Sequence, residues 1–338
     1  MPGAAIALPP VFCFGDSQLT AGLLERLKVR LAELATGKSR AGLAQRSEAI
    51  SEKYREFRAS SGHIGVSDDV LAYAMSRMPA TYAAVERVLD EAAARAAGFA
   101  PQTMLDAGAG PGTASWAAFE RWPDLGSTTM MDHGDAFLRL AASLAEGALP
   151  ATVVRGELGQ TGLGDARFDL VVASYSLTEL ADGRVVAAAL DLWRRCGGIL
   201  AIIEPGRPRD YQRLMDVRRA LLADGATMVA PCPHAHECPL PEGDWCHFTV
   251  RLERSRDHMR MKGATLPYED EKFSYLIVAR PEVAAQPASR IIKPVERNKF
   301  AVTLELCTPE GLRREQVLKR NPEAFRVARK AEWGESWG

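Results

Sequence analysis

Four cysteines in the second half of the chain carry its most specific chemistry. Cys232, Cys238 and Cys246 lie in PCPHAHECPLPEGDWCHF with Cys-x5-Cys-x7-Cys spacing, and Cys307 follows after 60 intervening residues in LELCTPEG. Free cysteine is often a buried core residue. Three within fifteen residues, two of them followed by proline, are too many for chance core placement. Zinc is one reading, because His234, His236 and His247 interleave with the thiols and could join them as ligands. Structural zinc sites, however, usually carry short Cys-x2–4-Cys knuckles, and none occurs here. A [4Fe–4S] cluster takes four thiolates, tolerates wide spacing and often has Cys-Pro flanks. Spacing alone leaves the two metals open. Cys13 and Cys196 stand in isolated contexts and read as non-functional.

A second constellation lies upstream. In MLDAGAGPGTASW, Asp106 stands two residues before the first of Gly108, Gly110 and Gly112. Glycines allow positive φ and let the backbone come close to a ligand. The turn follows an apolar stretch and opens a helical one. Asp132 ends the next apolar stretch, where a carboxylate can bond ribose hydroxyls. Dinucleotide sites want G-x-G-x-x-G, which seats pyrophosphate on the helix N-terminus. This turn has G-x-G-x-G and no such seat. Its D-x-G-x-G-x-G form resembles motif I of class I S-adenosylmethionine methyltransferases. That resemblance implies that Asp106 and the glycine turn hold the amino-acid end of S-adenosylmethionine, and Asp132 its ribose.

Elements must position these residues. From Leu19 to Ala97 the chain reads as helices. LTAGLLERLKVRLAELA has apolar residues at helical spacing. SDDVLAYAMSRMPATYAAVERVLDEAAARAAG starts at Ser67, a helix cap followed by acids. Pro79 is expected to break this segment in two, and Gly98 to end it. Then the period changes. TMLDAGAG, STTMMD, ATVVRG, FDLVVASY and GGILAIIEPG read as strands, separated by the helical stretches TASWAAFERW, AFLRLAASLAEG and GRVVAAALDLWRR. Such alternation argues for a parallel sheet covered on both faces. KFSYLIVAR reads as a later strand. AASRIIKPVERNKFAVTLELCT reads as two strands joined by a polar turn, and GLRREQVLKRNPEAFRVARKAEWG as a strand and a basic helix.

Bulk properties exclude several classes. The 338 residues are 47% hydrophobic and 25% charged, an ordinary globular make-up with enough chain to bury a core. The net charge of −1 gives no global pull towards nucleic acid. Arg290 to Lys330, however, holds eleven Lys and Arg against five Asp and Glu, a local excess of +6 that leaves −7 for the rest. Such a tail suits a phosphate-bearing partner, or is simply a solvated helix face. No apolar run approaches the ~18 residues a membrane helix needs. The start, MPGAAIALPPVFCF, lacks a basic n-region and makes a poor signal or transit peptide. Six cysteines are far too few for a disulfide scaffold. The expectation is a cytoplasmic protein with no membrane and no DNA partner, whose clustered cysteines serve metal or catalysis.

Several stretches together resemble one family. AYAMSRMPATYAAV, LDAGAGPGTASWAA, FDLVVASYSLTEL, ILAIIEPGRPRDY, PCPHAHECPL, WCHF, LCTPEG and ARKAEWGE are similar to the methyltransferase-like proteins of the small ribosomal subunit, the Rsm22 type of mitochondria and many bacteria. The resemblance covers roughly Tyr54 to Trp333. It implies a [4Fe–4S] cluster on Cys232, Cys238, Cys246 and Cys307, S-adenosylmethionine at Gly108, Gly110 and Gly112, and a role in building the small subunit. Asp132 departs from the pattern, since a longer acid is common there. The implied fold class is α/β: a Rossmann-like class I methyltransferase sheet with an N-terminal helical region and a C-terminal iron–sulfur and β extension. The expected regions are 1–100 (helical), 101–224 (S-adenosylmethionine-binding) and 225–338 (cysteine cluster and basic β module).

No catalytic residue is legible. Where methylases of base amino groups often carry an Asn/Asp-Pro-Pro-aromatic loop, this chain has Ser174-Tyr175-Ser176-Leu177-Thr178-Glu179-Leu180. No cysteine stands there to attack a pyrimidine. Glu179 could orient an acceptor amine or cap locally. Tyr175 could stack on a base or pack in the core, and Glu204-Pro205-Gly206 reads as a shaping turn. The first functional reading is an rRNA methyltransferase. The second is an inactive, RNA-binding assembly factor, and the third a zinc-binding methyltransferase with another substrate. Arg207, Arg209, Arg213, Arg218 and Arg219, with Arg251, Arg254, Arg256 and Arg260, are candidate phosphate contacts for a small-subunit rRNA partner.

Overall fold

The computed structural model describes residues 23–55, 67–254, 256–262 and 264–338. Cys13, the start of the first expected helix and the segment read as a poor targeting peptide lie outside them. Helices α1 (Leu23–Leu34), α2 (Arg40–Arg55) and α3 (Ser67–Arg95) come first. Asp68 and Asp69 suit the positive end of the α3 dipole. They also pair with Lys38, at 2.5 Å, and with Arg46, tying α3 to the segments before it. The expected break at Pro79 does not occur: α3 runs through it for 29 residues. A proline inside a helix costs about 3 kcal/mol. Burying Val70, Leu71, Met78, Tyr82, Val85, Val88 and Leu89 along one rod outweighs that, at about 1.5–3 kcal/mol for each large aliphatic side chain. His258 Nε2–H also donates to the Ser76 carbonyl, 3.2 Å away, in the turn before the proline.

Strands β1 (Thr103–Ala107), β2 (Ser127–Asp132), β3 (Ala151–Arg155), β4 (Phe168–Ser174) and β5 (Cys196–Pro205) pair in parallel in the order β3-β2-β1-β4-β5. Helices α4 (Thr113–Arg121), α5 (Asp135–Ala145) and α6 (Asp182–Arg195) alternate with them, and α7 (Pro208–Ala223) follows β5. The sheet also draws strands from beyond Asp224, the expected edge of this region. These are β6 (Thr227–Ala230), β7 (Phe248–Glu253) and β8 (Tyr268–Ala279). β8 lies between β5 and β6, antiparallel to both, and also pairs with β7. KFSYLIVAR is therefore a central strand of the main sheet, buried throughout from Phe273 to Ala279. The architecture is the α/β, Rossmann-like methyltransferase fold, with one antiparallel strand inside an otherwise parallel order.

Both faces are apolar, as covered parallel strands require. On β5, Ile199, Ala201 and Ile203 join the core under α3 and α4, while Leu200 and Ile202 join the core under α6 and α7. After the short helix α8 (Arg256–Met261), which precedes β8, a second sheet closes the chain. It comprises β9 (Arg290–Ile291), β10 (Glu296–Arg297), β11 (Ala301–Thr308) and β12 (Gly311–Leu318), with α9 (Pro322–Ala328) packed on it through Phe325. Arg290 joins the two halves. Its guanidinium is 1% exposed, pairs with Glu91 of α3, and donates to the carbonyls of Gly334 at 3.0 Å and Pro231 at 3.4 Å.

Candidate functional site

A cavity of about 350 Å³ opens over the C-terminal ends of β1 and β4, walled by Gly108, Gly110, Asp132, Tyr175 and Glu179 and covered by Tyr73 and Met78 of α3. The turn is left-handed at each glycine, with φ of 74° at Gly108, 53° at Gly110 and 84° at Gly112. Gly108 is also a close approach: a Cβ there would stand 2.5 Å from Ser176 Cβ. Asp132 builds the turn as well as lining it. Its Oδ2 accepts the Gly110 N–H at 2.9 Å and its Oδ1 the Gly134 N–H at 2.8 Å. Each oxygen keeps lone-pair capacity beyond these bonds.

Asp106 is placed differently from the reading that puts it against a ligand. It is fully buried behind the turn, where its Oδ2 accepts the backbone N–H of Ser115 at 3.0 Å and its hydroxyl at 2.8 Å. It thus satisfies an open donor in the first turn of α4. Burial pushes its carboxyl up to about 7. The same logic holds the loop after β4. Glu204, at the end of β5, accepts the N–H groups of Leu177 (2.9 Å) and Thr178 (2.8 Å), and the Thr178 hydroxyl donates to Asp210 at 2.8 Å. Burial, aided by the Asp210 charge, raises Glu204 to about 8. The Ser176 hydroxyl donates to the Ala107 carbonyl. Tyr175 has φ 56°, an uncommon state for a residue other than glycine. Its hydroxyl donates to Glu271 Oε1 at 2.9 Å, and Arg77 stands 3.4 Å from the same oxygen. Arg77, Tyr175 and Glu271 come from α3, the β4 loop and β8. Nothing in their local sequence announces the trio.

The second site lies where the two sheets meet. Cys232, Cys238, Cys246 and Cys307 all line one small cavity of about 30 Å³, with Tyr211, Tyr275, Arg290 and Ile292. The Tyr211 hydroxyl donates to Cys238 Sγ at 3.1 Å. Burial pushes the thiols of Cys232 and Cys246 up, and Cys307 to about 12, with neighbouring thiols adding to the rise in each case. Arg218 and Arg290 act the other way on Cys232 and Cys307. An all-sulfur donor set beside buried guanidiniums fits an anionic iron–sulfur cluster better than a neutral core. Among the described residues, no group of three or more His, Cys, Asp or Glu side chains stands in a metal-holding arrangement. The thiols share a cavity without closing on one point. His234 Nε2 lies 3.5 Å from Cys307 Sγ, whereas His247 stacks on Trp245 and meets Trp333 edge-to-face. Cys196 is buried in β5, away from both sites.

Many candidate phosphate contacts are committed to the fold. Arg218 is 2% exposed and donates to the carbonyls of His234 (2.8 Å) and His236 (2.7 Å), clamping the cysteine segment. Arg213 binds the carbonyls of Thr178 and Leu180, Arg251 pairs with Asp270, and Arg254 with Glu269. A run of basic letters does not reveal such partners, because they come from other elements.

The fold and the glycine turn agree with the sequence relationships. The chain matches the family described as Mitochondrial small ribosomal subunit Rsm22 over residues 67–338. It belongs to the Rsm22 family. It is similar to the mitochondrial ribosome assembly protein METTL17 of Homo sapiens, 32% identical over 290 residues, covering 78% of this chain and 61% of that protein. It is 26% identical over 335 residues to the mitochondrial Rsm22-cox11 tandem protein 2 of Schizosaccharomyces pombe, covering 82% of this chain and 44% of that one. A malonyl-[acyl-carrier protein] O-methyltransferase of Xylella fastidiosa is 27% identical over 139 residues, 41% of this chain and 45% of that enzyme. The chain thus spans about half the length of the Rsm22-family relatives it matches. These findings overturn the cytoplasmic expectation: the Rsm22 family and its relatives here are described as mitochondrial. Reduced cysteines do not separate one reducing compartment from another, so that signal carried no such discrimination. No described helix is long and apolar enough to cross a membrane.

Proposed function

We propose that this Rsm22-family protein is an assembly factor of the mitochondrial small ribosomal subunit that contacts rRNA and holds S-adenosylmethionine without transferring its methyl group. One observation carries the second part. The loop after β4, where an acceptor would be gripped, spends its polar groups on its own scaffold: Tyr175 on Glu271, Ser176 on Ala107, Leu177 and Thr178 on Glu204. Gly108, Gly110, Gly112 and Asp132 would hold the cofactor, with Asp106 shaping the turn from behind. The name of the human relative supports the assembly role.

In this reading Cys232, Cys238, Cys246 and Cys307 hold a [4Fe–4S] cluster, with zinc as the alternative metal. When bound, it supplies a cross-link between the cysteine segment and β11, so its binding energy becomes folding energy. The cavity shared by the four thiols supports this. The test combines modified-base mapping of small-subunit rRNA, with and without the protein, with co-sedimentation on the subunit. Association with every methyl mark intact is expected. A lost mark restores the rRNA methyltransferase, and failure to co-sediment overturns the assembly role.

A further inference from the structure

Phe300 is the most exposed large apolar side chain among the described residues, at 68%. Single exposed apolar residues are common and need no explanation. This one differs in how it is held and what surrounds it. It sits at the tip of the β10–β11 hairpin. Asn298 Oδ1 accepts the N–H groups of Phe300 and Ala301, both at 2.8 Å, and the Asn298 N–H donates to the Ala301 carbonyl at 2.9 Å. Such a side-chain-to-backbone turn orders the tip before any partner arrives. The Phe300 carbonyl accepts the N–H of Lys319 at 2.8 Å, which brings the end of β12 alongside. Three exposed cations therefore share this tip: Lys299, whose Nζ lies 5.7 Å from the ring centroid, and Lys319 and Arg320, where the end of β12 is tied to the Phe300 backbone. Among the described residues no carboxylate forms an ion pair with any of the three. Nearby, Arg313 pairs with Glu315, and Arg314 with Glu296 and Glu305.

An aromatic face on an ordered tip, with cations on the same tip that no carboxylate pairs, has the two parts of a single-strand platform: a surface on which a base stacks and charges that track its phosphates. We infer that Phe300 is a stacking platform for an unpaired base of RNA, with Lys299, Lys319 and Arg320 holding the flanking phosphates. This rests on the RNA-contacting function proposed above and names the residue and the kind of RNA. A duplex offers no free base face, so the platform selects single strands, loops or bulges.

Fluorescence anisotropy of the full chain with a labelled single-stranded 12-mer, and with a duplex of equal length, tests it. Phe300→Ala should weaken single-strand binding by about 5- to 150-fold. Its salt dependence and its duplex binding should not change, and Phe300→Trp should retain affinity. Lys319→Ala with Arg320→Ala should instead flatten the salt slope, by about 1.4. Single-strand binding within twofold of wild type in Phe300→Ala overturns the platform and leaves RNA contact standing. A wild-type protein that binds neither RNA overturns the platform together with the RNA reading. If Phe300→Ala keeps its RNA affinity but no longer co-sediments with the subunit, the tip docks on protein and the inference falls.

Discussion

The glycine pocket and the thiol site are built on opposite principles. The pocket's turn, from Asp106 to Asp132, is nearly contiguous, and its shape follows from backbone conformation at three glycines and two carboxylates that bond nearby amides. The thiol site takes three residues from an irregular loop and one from β11 of the other sheet. Its supports, Tyr211 and Arg290, come from α7 and β9. A turn can form with its own strand and helix. A cavity shared by residues 75 positions apart exists only once both sheets have docked. Ligand binding is therefore expected to be a local property of the first region and a global property of the second.

The largest effect should come from Cys238→Ser. If the four thiols hold a cluster, its loss forfeits energy that for structural zinc in small domains is on the order of 10 kcal/mol. The variant should then purify poorly and lack absorbance near 400 nm (about the usual thiolate-to-iron band). If they merely line a cavity, the change removes one weak contact with Tyr211, worth about 1 kcal/mol or less. Normal yield, colour and melting temperature would dissolve the contrast between the two regions.

Gly110→Arg should have a smaller and more confined effect. Only Phe137, at 3.9 Å, stands near a Cβ at this position, so the side chain can enter the pocket. A left-handed residue other than glycine costs about 1–2 kcal/mol, which a domain of this size survives. Calorimetry should show S-adenosylmethionine binding abolished while melting stays cooperative. Undiminished binding would remove the cofactor from this turn. Gross unfolding would mean that the pocket is not local after all.

That asymmetry also explains what could be read in advance. The five parallel strands and the glycine turn follow from short-range periodicity, and their spans agree closely with the structure. The central place of β8 was not legible, because Phe273 to Ala279 is apolar whether it lies at an edge or in the middle. Pro79 misled because the packing of α3 outweighs a local penalty. Asp106 was legible as a motif residue but not as a buried cap, since the two roles differ only in which side of the turn the carboxylate faces. The arginines after β5 read as a basic patch until the carbonyls of His234 and His236 take Arg218 inside. For β8, Pro79 and Arg218 the missing information was a partner distant in sequence; for Asp106, whose partner Ser115 is nine residues on, it was the direction of the side chain.

The smallest expected effect tests the helix that joins the two regions. Glu204 holds the β4 loop at the pocket, and the first turn of α7 carries both Asp210, which holds the same loop, and Tyr211, which reaches Cys238. In the folded state burial lifts the Glu204 carboxyl from the ordinary 4.5 to about 8. Between those values the folded chain keeps a proton that the unfolded chain has released, so stability must fall as pH rises through that window and level off above it. Asp106 acts with the same sign and is common to wild type and variant, so it cancels in their difference. Glu204→Gln makes the neutral form permanent. Its stability relative to wild type should therefore rise by about 2 kcal/mol between about pH 6 and pH 8, measured by urea unfolding. If the two curves run parallel, Glu204 does not carry the buried proton, and the link from pocket to α7 rests on Asp210 alone. If the variant also moves the absorbance near 400 nm, a change at the pocket has reached the thiols through Tyr211, and the two regions are less independent than their construction suggests.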